Sequence, residues 1–207
     1  MCGRFAAVNL KGEDETAGFL RSEAEGWPEG GFGFKAEGDV FPGDTAPVIV
    51  MRGDGLGALP MKWGFPGYPD PAKPNRKPRP LINARSETAS RLATWRGPLK
   101  KWRCLVPTDG FYEWSRKPGE PAVKWRFLSQ DGSRLFLAGV CRDNPDIGLG
   151  QAPSLFSILT AAANPSMAPV HDRMPVCIPR RLFGAWLGPD YEKALRAAGE
   201  PFSRSPA

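Results

Sequence analysis

Apolar residues in this chain arrive in short bursts between glycines, prolines and polar turns, and few of the bursts have helical spacing. Runs at Ala46–Met51, Leu59–Trp63, Cys104–Pro107, Phe111–Ser115, Val123–Leu128, Leu135–Cys141 and Leu155–Thr160 are rich in branched and aromatic residues, which predicts strands. Met1–Val8 predicts a first strand and Leu81–Arg85 a short strand end. Helices are predicted at Asp14–Ala24, with acidic residues in its first turn, and from Ser86 to about Trp95. Two more are predicted at Pro179–Leu187 and Pro189–Ala198, each with proline in its first turn. Phe202–Ala207 reads as a loose tail. No internal repeat or long linker interrupts this order. It predicts an α+β fold, a mostly antiparallel curled sheet or barrel-like core with a few peripheral helices, in one domain over residues 1–207.

Composition narrows the class. The 24 glycines and 23 prolines fit a turn-rich sheet and argue against a helical bundle. No apolar run is long enough for a membrane-spanning helix, and no signal region opens the chain, so a cytoplasmic location is expected. The net charge of +6 is unevenly placed: residues 61–126 carry 15 basic and 5 acidic side chains, whereas residues 1–60 are net negative. Within the basic stretch lie Trp63, Tyr68, Trp95, Trp102, Tyr112, Trp114 and Trp125. Bases stack on aromatic rings while Arg and Lys hold phosphates, so this stretch points to nucleic acid. Pro66–Pro80 is proline-rich and cationic, and reads as an extended loop that cannot join a central sheet.

Of the four cysteines, Cys104, Cys141 and Cys177 lie inside apolar runs and read as core; none forms a CxxC pair, so no metal site is expected. Cys2 differs. Met1 is expected to be removed before so small a residue, which would leave Cys2 with both a free thiol and a free α-amine. Both groups have nucleophilic fractions near neutral pH. An aldehyde would condense with the amine to an imine, the thiol would add to it, and a five-membered thiazolidine would close.

Polar residues gather in three further segments where a plain core strand would not place them. Asn83-Ala84-Arg85-Ser86-Glu87-Thr88 is one and Asp109-Gly110-Phe111-Tyr112-Glu113-Trp114 another. Flanking Tyr112 and Trp114 are expected to desolvate Glu113 and fit it for proton transfer. The third, Val170-His171-Asp172-Arg173-Met174-Pro175, holds the single histidine of the chain. Together with Met1-Cys2-Gly3-Arg4-Phe5, Trp63-Gly64 and Leu159-Thr160-Ala161-Ala162-Ala163-Asn164, these segments resemble the SOS response-associated peptidase (SRAP) family, in its order and across nearly the whole chain.

The resemblance implies capture of abasic sites in single-stranded DNA as a thiazolidine crosslink through Cys2. It also implies possible self-removal of Met1 and lyase-like or crosslink-reversal chemistry. It implies that Glu113 handles protons, that His171 assists sugar ring opening and reversal, and that Asn83 orients Cys2. Arg4, Arg85 and Arg173 are implied as contacts to DNA, with Pro42 and Gly43 as a loop beside the lesion. Trp63, Tyr68 and Thr160 complete the implied DNA surface, Tyr68 standing where many members place a base-splaying tryptophan. No cofactor is implied; the expected state is a monomer, nucleoid-associated when bound to DNA. Three departures stand out: the long Pro69–Pro80 loop, Asp44 beside the Pro-Gly loop, and a short C-terminus. Two rivals compete with this reading. One is an N-terminal-nucleophile glutamine amidotransferase; the other is a non-covalent single-strand binder in which Cys2 is incidental.

Overall fold

The computed structural model describes residues 2–25, 35, 37–53, 55–116, 118–142, 154–199 and 201–207; Met1, the start of the predicted first strand, lies outside them. In chain order the elements are β1 (Phe5–Ala6), α1 (Glu15–Glu25), β2 (Asp39–Val40), β3 (Thr45–Arg52), β4 (Gly55–Trp63), β5 (Asn83–Arg85), α2 (Ser86–Ala89), α3 (Ala93–Lys101), β6 (Arg103–Thr108), β7 (Phe111–Ser115), β8 (Val123–Ser129), β9 (Leu135–Arg142), β10 (Ser154–Ala162), β11 (Arg173–Pro175), a 3₁₀ turn (Arg180–Leu182), α4 (Phe183–Leu187), α5 (Tyr191–Ala197) and β12 (Phe202–Pro206). The predicted α+β architecture holds.

β10 is the spine of the larger sheet. Along one side it pairs in parallel with β4 and then β5; along the other it pairs antiparallel with β9 and then β11. Since β4 continues through β3 and β6 to β9, the β9–β10 pairing closes a ring. Closure leaves the ring strands buried on both faces, and their side chains divide with the period of the pleat. Val48, Val106, Leu137, Phe156 and Ile158 enter one core cluster, while Ile49, Leu105, Phe136, Ala138 and Leu159 enter a second beneath the helices. Double burial explains why these runs read as continuous apolar stretches. Cys104, Cys141 and Cys177 are buried in them as expected, with free thiols. The second sheet, ordered β12-β8-β7-β1-β2, covers the first cluster.

The structure corrects three expectations. The first strand is only Phe5–Ala6. The predicted helix from Ser86 breaks in two, because Leu92 adopts extended backbone angles (φ −81°, ψ 131°) before α3 begins. The tail is not loose: β12 pairs with β8 from Phe202↔Ser129 to Pro206↔Trp125. Phe202 is 4% exposed and stands edge-on to Phe111 at 5.2 Å, while the residues after it face solvent. A single apolar plug is enough to seat an edge strand, so the polar composition hid it.

Candidate active site and nucleic-acid interface

β1 places the chain start. Phe5 pairs with Phe111 on β7, and Tyr112 N–H donates to the Arg4 carbonyl at 3.0 Å. The Glu113 carboxylate, two residues beyond Phe111, lies close enough to Cys2 to act on its thiol. From the other side, Asn83 Nδ2 donates to the Cys2 carbonyl at 2.9 Å. Asn83 stands on β5, opposite Ile158 of the spine strand. Its Oδ1 is buried and has no hydrogen-bond partner among the described residues. Cys2 itself is 0% exposed, and its thiol donates weakly to the Arg4 carbonyl at 3.8 Å. Burial, reinforced by the nearby Glu113 carboxylate, pushes that thiol up to about 12. Cys2, Asn83 and Glu113 are thus brought together from three distant segments.

Glu113 is 7% exposed, so its expected burial is observed, but the cause differs. Successive strand residues face opposite sides. Phe111 packs in the inner cluster and Glu113 shares its face, whereas Tyr112 and Trp114 turn outward. Its burial therefore follows from the face it shares with Phe111 rather than from the flanking rings.

That outer face forms the second half of the site. The Arg4 guanidinium lies over the Phe41 ring (4.5 Å) and the Trp114 ring (4.9 Å), and reaches Asp39 at 3.4 Å. Its buried Nε has no hydrogen-bond partner among the described residues. Lys124 sits over Tyr112 at 4.0 Å and lies 3.8 Å from the same Asp39. Sequence reasoning missed Asp39, Phe41 and Lys124, which lie far from Arg4 along the chain. Only the alternation of Lys124 and Arg126 with Trp125 and Phe127 hinted at a cationic face. Pro42 and Gly43 are exposed at its rim; Gly43 takes φ +93°, which glycine adopts freely, and donates to the Trp63 carbonyl at 2.8 Å. The negative charge of Asp44 is answered by Lys35 at 2.7 Å and by the Phe41 N–H at 2.9 Å, so it is not presented bare to a phosphate.

Three expected DNA contacts are placed elsewhere. Trp63 is 0% exposed, stacked on Phe156, with its Nε1 donating to the Ile82 carbonyl at 3.0 Å. It ties the Pro42 loop and β5 together and offers no face to a base. Thr160 is also 0% exposed. Arg173 forks onto Glu87 at 2.6 and 2.9 Å and donates to the Thr160 carbonyl at 2.7 Å. Hydrogen bonding from Arg173 holds the Glu87 carboxyl below its ordinary range. The guanidinium is therefore spent on joining α2 to β10 and β11. Arg85 and Tyr68 are exposed, as a strand contact requires.

His171 stands in the turn entering β11. Its Nδ1 accepts the Arg173 N–H at 2.9 Å, and Asp172 Oδ1 lies 2.8 Å from the same nitrogen. The two contacts are alternatives: a bare Nδ1 accepts the Arg173 N–H, whereas an Nδ1 that carries a proton donates to Asp172.

Cys2 is thus held by an asparagine, near a buried carboxylate and a face where cations lie over aromatic rings. A model of the SOS response associated peptidase (SRAP) family fits residues 1–205. The chain belongs to that family. Among SRAP relatives it is 29% identical over 202 residues to the abasic site processing protein YoqW of Bacillus subtilis, covering 94% of this chain and 86% of that one. It is 30% identical over 194 residues to the abasic site processing protein YedK of Escherichia coli, covering 90% and 79%. A crystal structure from Bordetella bronchiseptica superposes with a TM-score of 0.70 at 26% identity, covering 100% of this chain and 99% of that one. No helix among the described residues is long and apolar enough to cross a membrane.

Proposed function

We propose that this SRAP protein processes abasic sites in single-stranded DNA by capturing the ring-opened sugar on Cys2. The names of its relatives support the substrate class. The observation that carries the mechanism is the seating of residue 2, with Asn83 Nδ2 on its carbonyl and Glu113 close enough to raise its thiol.

Removal of Met1 frees an α-amine on the residue whose carbonyl Asn83 holds, and the Asn83 Oδ1, without a hydrogen-bond partner among the described residues, is an acceptor of the right kind for the new N–H groups. The amine attacks the sugar aldehyde, and loss of water gives an imine. The Cys2 sulfur then adds to the imine carbon while its proton passes to the imine nitrogen, closing a thiazolidine; no oxidant or reductant is consumed. A thiol held at about 12 is protonated at neutral pH, so this step needs a local base. Glu113 relays the proton. His171 serves sugar ring opening and crosslink reversal, and self-removal of Met1 falls to the same groups. Arg4 and Arg85 hold the strand, and the protein acts as a monomer.

The test is incubation of the mature protein with an abasic oligonucleotide, followed by denaturing electrophoresis and intact mass. A heat-stable adduct lost in Cys2→Ala supports the reading. Undiminished binding with no adduct sinks it in favour of a non-covalent binder. Release of ammonia from glutamine would instead indicate amidotransfer.

A further inference from the structure

A carboxylate stands among the cations on the outer face of the second sheet. Asp39 lies on β2, opposite Ala6 of β1. Its Oδ2 is 3.4 Å from Arg4 Nη1 and 3.8 Å from Lys124 Nζ, so one oxygen faces two cations. The Tyr112 hydroxyl hydrogen-bonds the same carboxylate. Strand pairing assembles the group, with Lys124 of β8 opposite Trp114 of β7. Arg4 is two residues from Cys2, and Tyr112 and Trp114 flank Glu113, so the cluster adjoins the capture groups along the chain.

Two roles for Asp39 compete. A carboxylate can hold cations in position for a ligand, or it can repel an anionic ligand from them. The geometry favours the second. Charge-assisted hydrogen bonds run to about 2.7–2.9 Å, and both Asp39 contacts are longer. Arg173, by contrast, grips Glu87 at 2.6 and 2.9 Å. Arg4 and Lys124 also have other supports: Arg4 lies over the Phe41 and Trp114 rings, and Lys124 lies over Tyr112. Both cations are therefore placed without the carboxylate, and what Asp39 adds is negative charge. Lys35, over the Phe41 ring, does not offset that charge, because it is paired with Asp44 at 2.7 Å. The side chains of Arg4, Asp39 and Lys124 are 28%, 25% and 27% exposed, so an incoming phosphate meets all three together.

We propose that Asp39 is an affinity-limiting counter-charge that loosens the grip of Arg4 and Lys124 on the phosphates of undamaged strand. A phosphate must compete with it for both cations. Intact DNA is thus held briefly, and lasting retention falls to the covalent step on Cys2. The inference rests on the reading above that the ligand is single-stranded DNA. It goes further in assigning a residue outside the capture groups that sets the preference for a lesion over intact strand.

The experiment measures binding of a short lesion-free oligothymidylate by fluorescence anisotropy across a salt series. Asp39→Asn keeps the shape and removes the charge. It should tighten binding at least about threefold at low salt, the effect in bulk water of relieving two like charges about 6 Å apart, and more where the protein lowers the dielectric. The gain should shrink as salt rises. Asp39→Ser removes the charge with a different side chain and should show the same gain. Asp39→Glu keeps the charge and should bind as the wild type does. Unchanged or weaker binding by both neutral variants overturns the proposal, as does an equal gain in Asp39→Glu. Capture of an abasic strand is then timed with excess lesion-free competitor, which should slow Asp39→Asn more than the wild type; equal slowing overturns the role in lesion preference. Wild-type adducts without competitor are scored separately. Adducts with an unchanged Asp39→Asn affinity remove the counter-charge and leave the capture chemistry; a tighter Asp39→Asn without wild-type adducts does the reverse.

Discussion

Asn83→Ala is the sharpest probe of how residue 2 is positioned. The substitution deletes the 2.9 Å hydrogen bond from Asn83 Nδ2 to the Cys2 carbonyl and removes the buried Oδ1 proposed to accept from the freed amine. A single hydrogen bond contributes about 1 kcal/mol net, and an acceptor left buried without a partner costs about 1–3 kcal/mol. At 1.36 kcal/mol per decade, that range corresponds to roughly a five- to 150-fold slower capture step. The assay is single-turnover adduct formation with excess mature protein, read on denaturing gels, beside anisotropy on a lesion-free strand and a thermal melt. The expected outcome is a slower adduct step with little change in lesion-free affinity. The melting temperature should fall by roughly 2–4 °C per kcal/mol lost in a chain of this size. Proportionate losses in adduct rate and in lesion-free affinity would show that Asn83 merely supports the fold. An unchanged rate would show that the amide does not position Cys2.

Glu113→Gln should slow adduct formation more than it weakens strand binding; equal losses would make the carboxyl structural. Stability should decline in alkali, because the folded chain keeps the Cys2 proton up to about 12 against an ordinary value of 9.0. Between those values the native state binds more protons than the unfolded one, so stability falls as pH rises, by at most roughly 1.4 kcal/mol per unit from this group. Cys2→Ala should flatten that profile in denaturant titrations, and parallel slopes would refute the assignment. Phe202→Ala should cost about 3–5 kcal/mol by emptying the edge-on contacts with Phe111 and Phe127, and chemical denaturation would measure it. Affinity of the wild type for intact single strands should fall steeply with salt, and a flat response would exclude a phosphate-dominated interface.

The ring strands were legible because burial on both faces leaves almost no polar residue in them, as in Leu135–Cys141. β12 was not, since four of its five residues face solvent and a lone phenylalanine carries the packing. Within the site, Cys2, Asn83 and Glu113 were legible as chemistry, and the fold brings them together. What escaped was direction. Trp63 reads as a base-stacking ring until the closed ring buries it, and Arg173 reads as a free cation until α2 supplies Glu87. The placing of Arg4 over aromatic rings depends on Phe41 and Trp114, brought to it by strand pairing alone. Side-chain type survives in a sequence; the face it occupies depends on pairings between segments far apart.

The depth at which Cys2 sits has a consequence for how long the protein keeps its reactivity. Peroxides and alkylating agents consume thiolates, and a shielded, protonated sulfur gives them little to attack. Under the proposed capture reaction, the sulfur is thereby kept unspent until an aldehyde reaches it. Its inertness toward small oxidants comes from that burial, and the proposed capture step must recruit a base to overcome it.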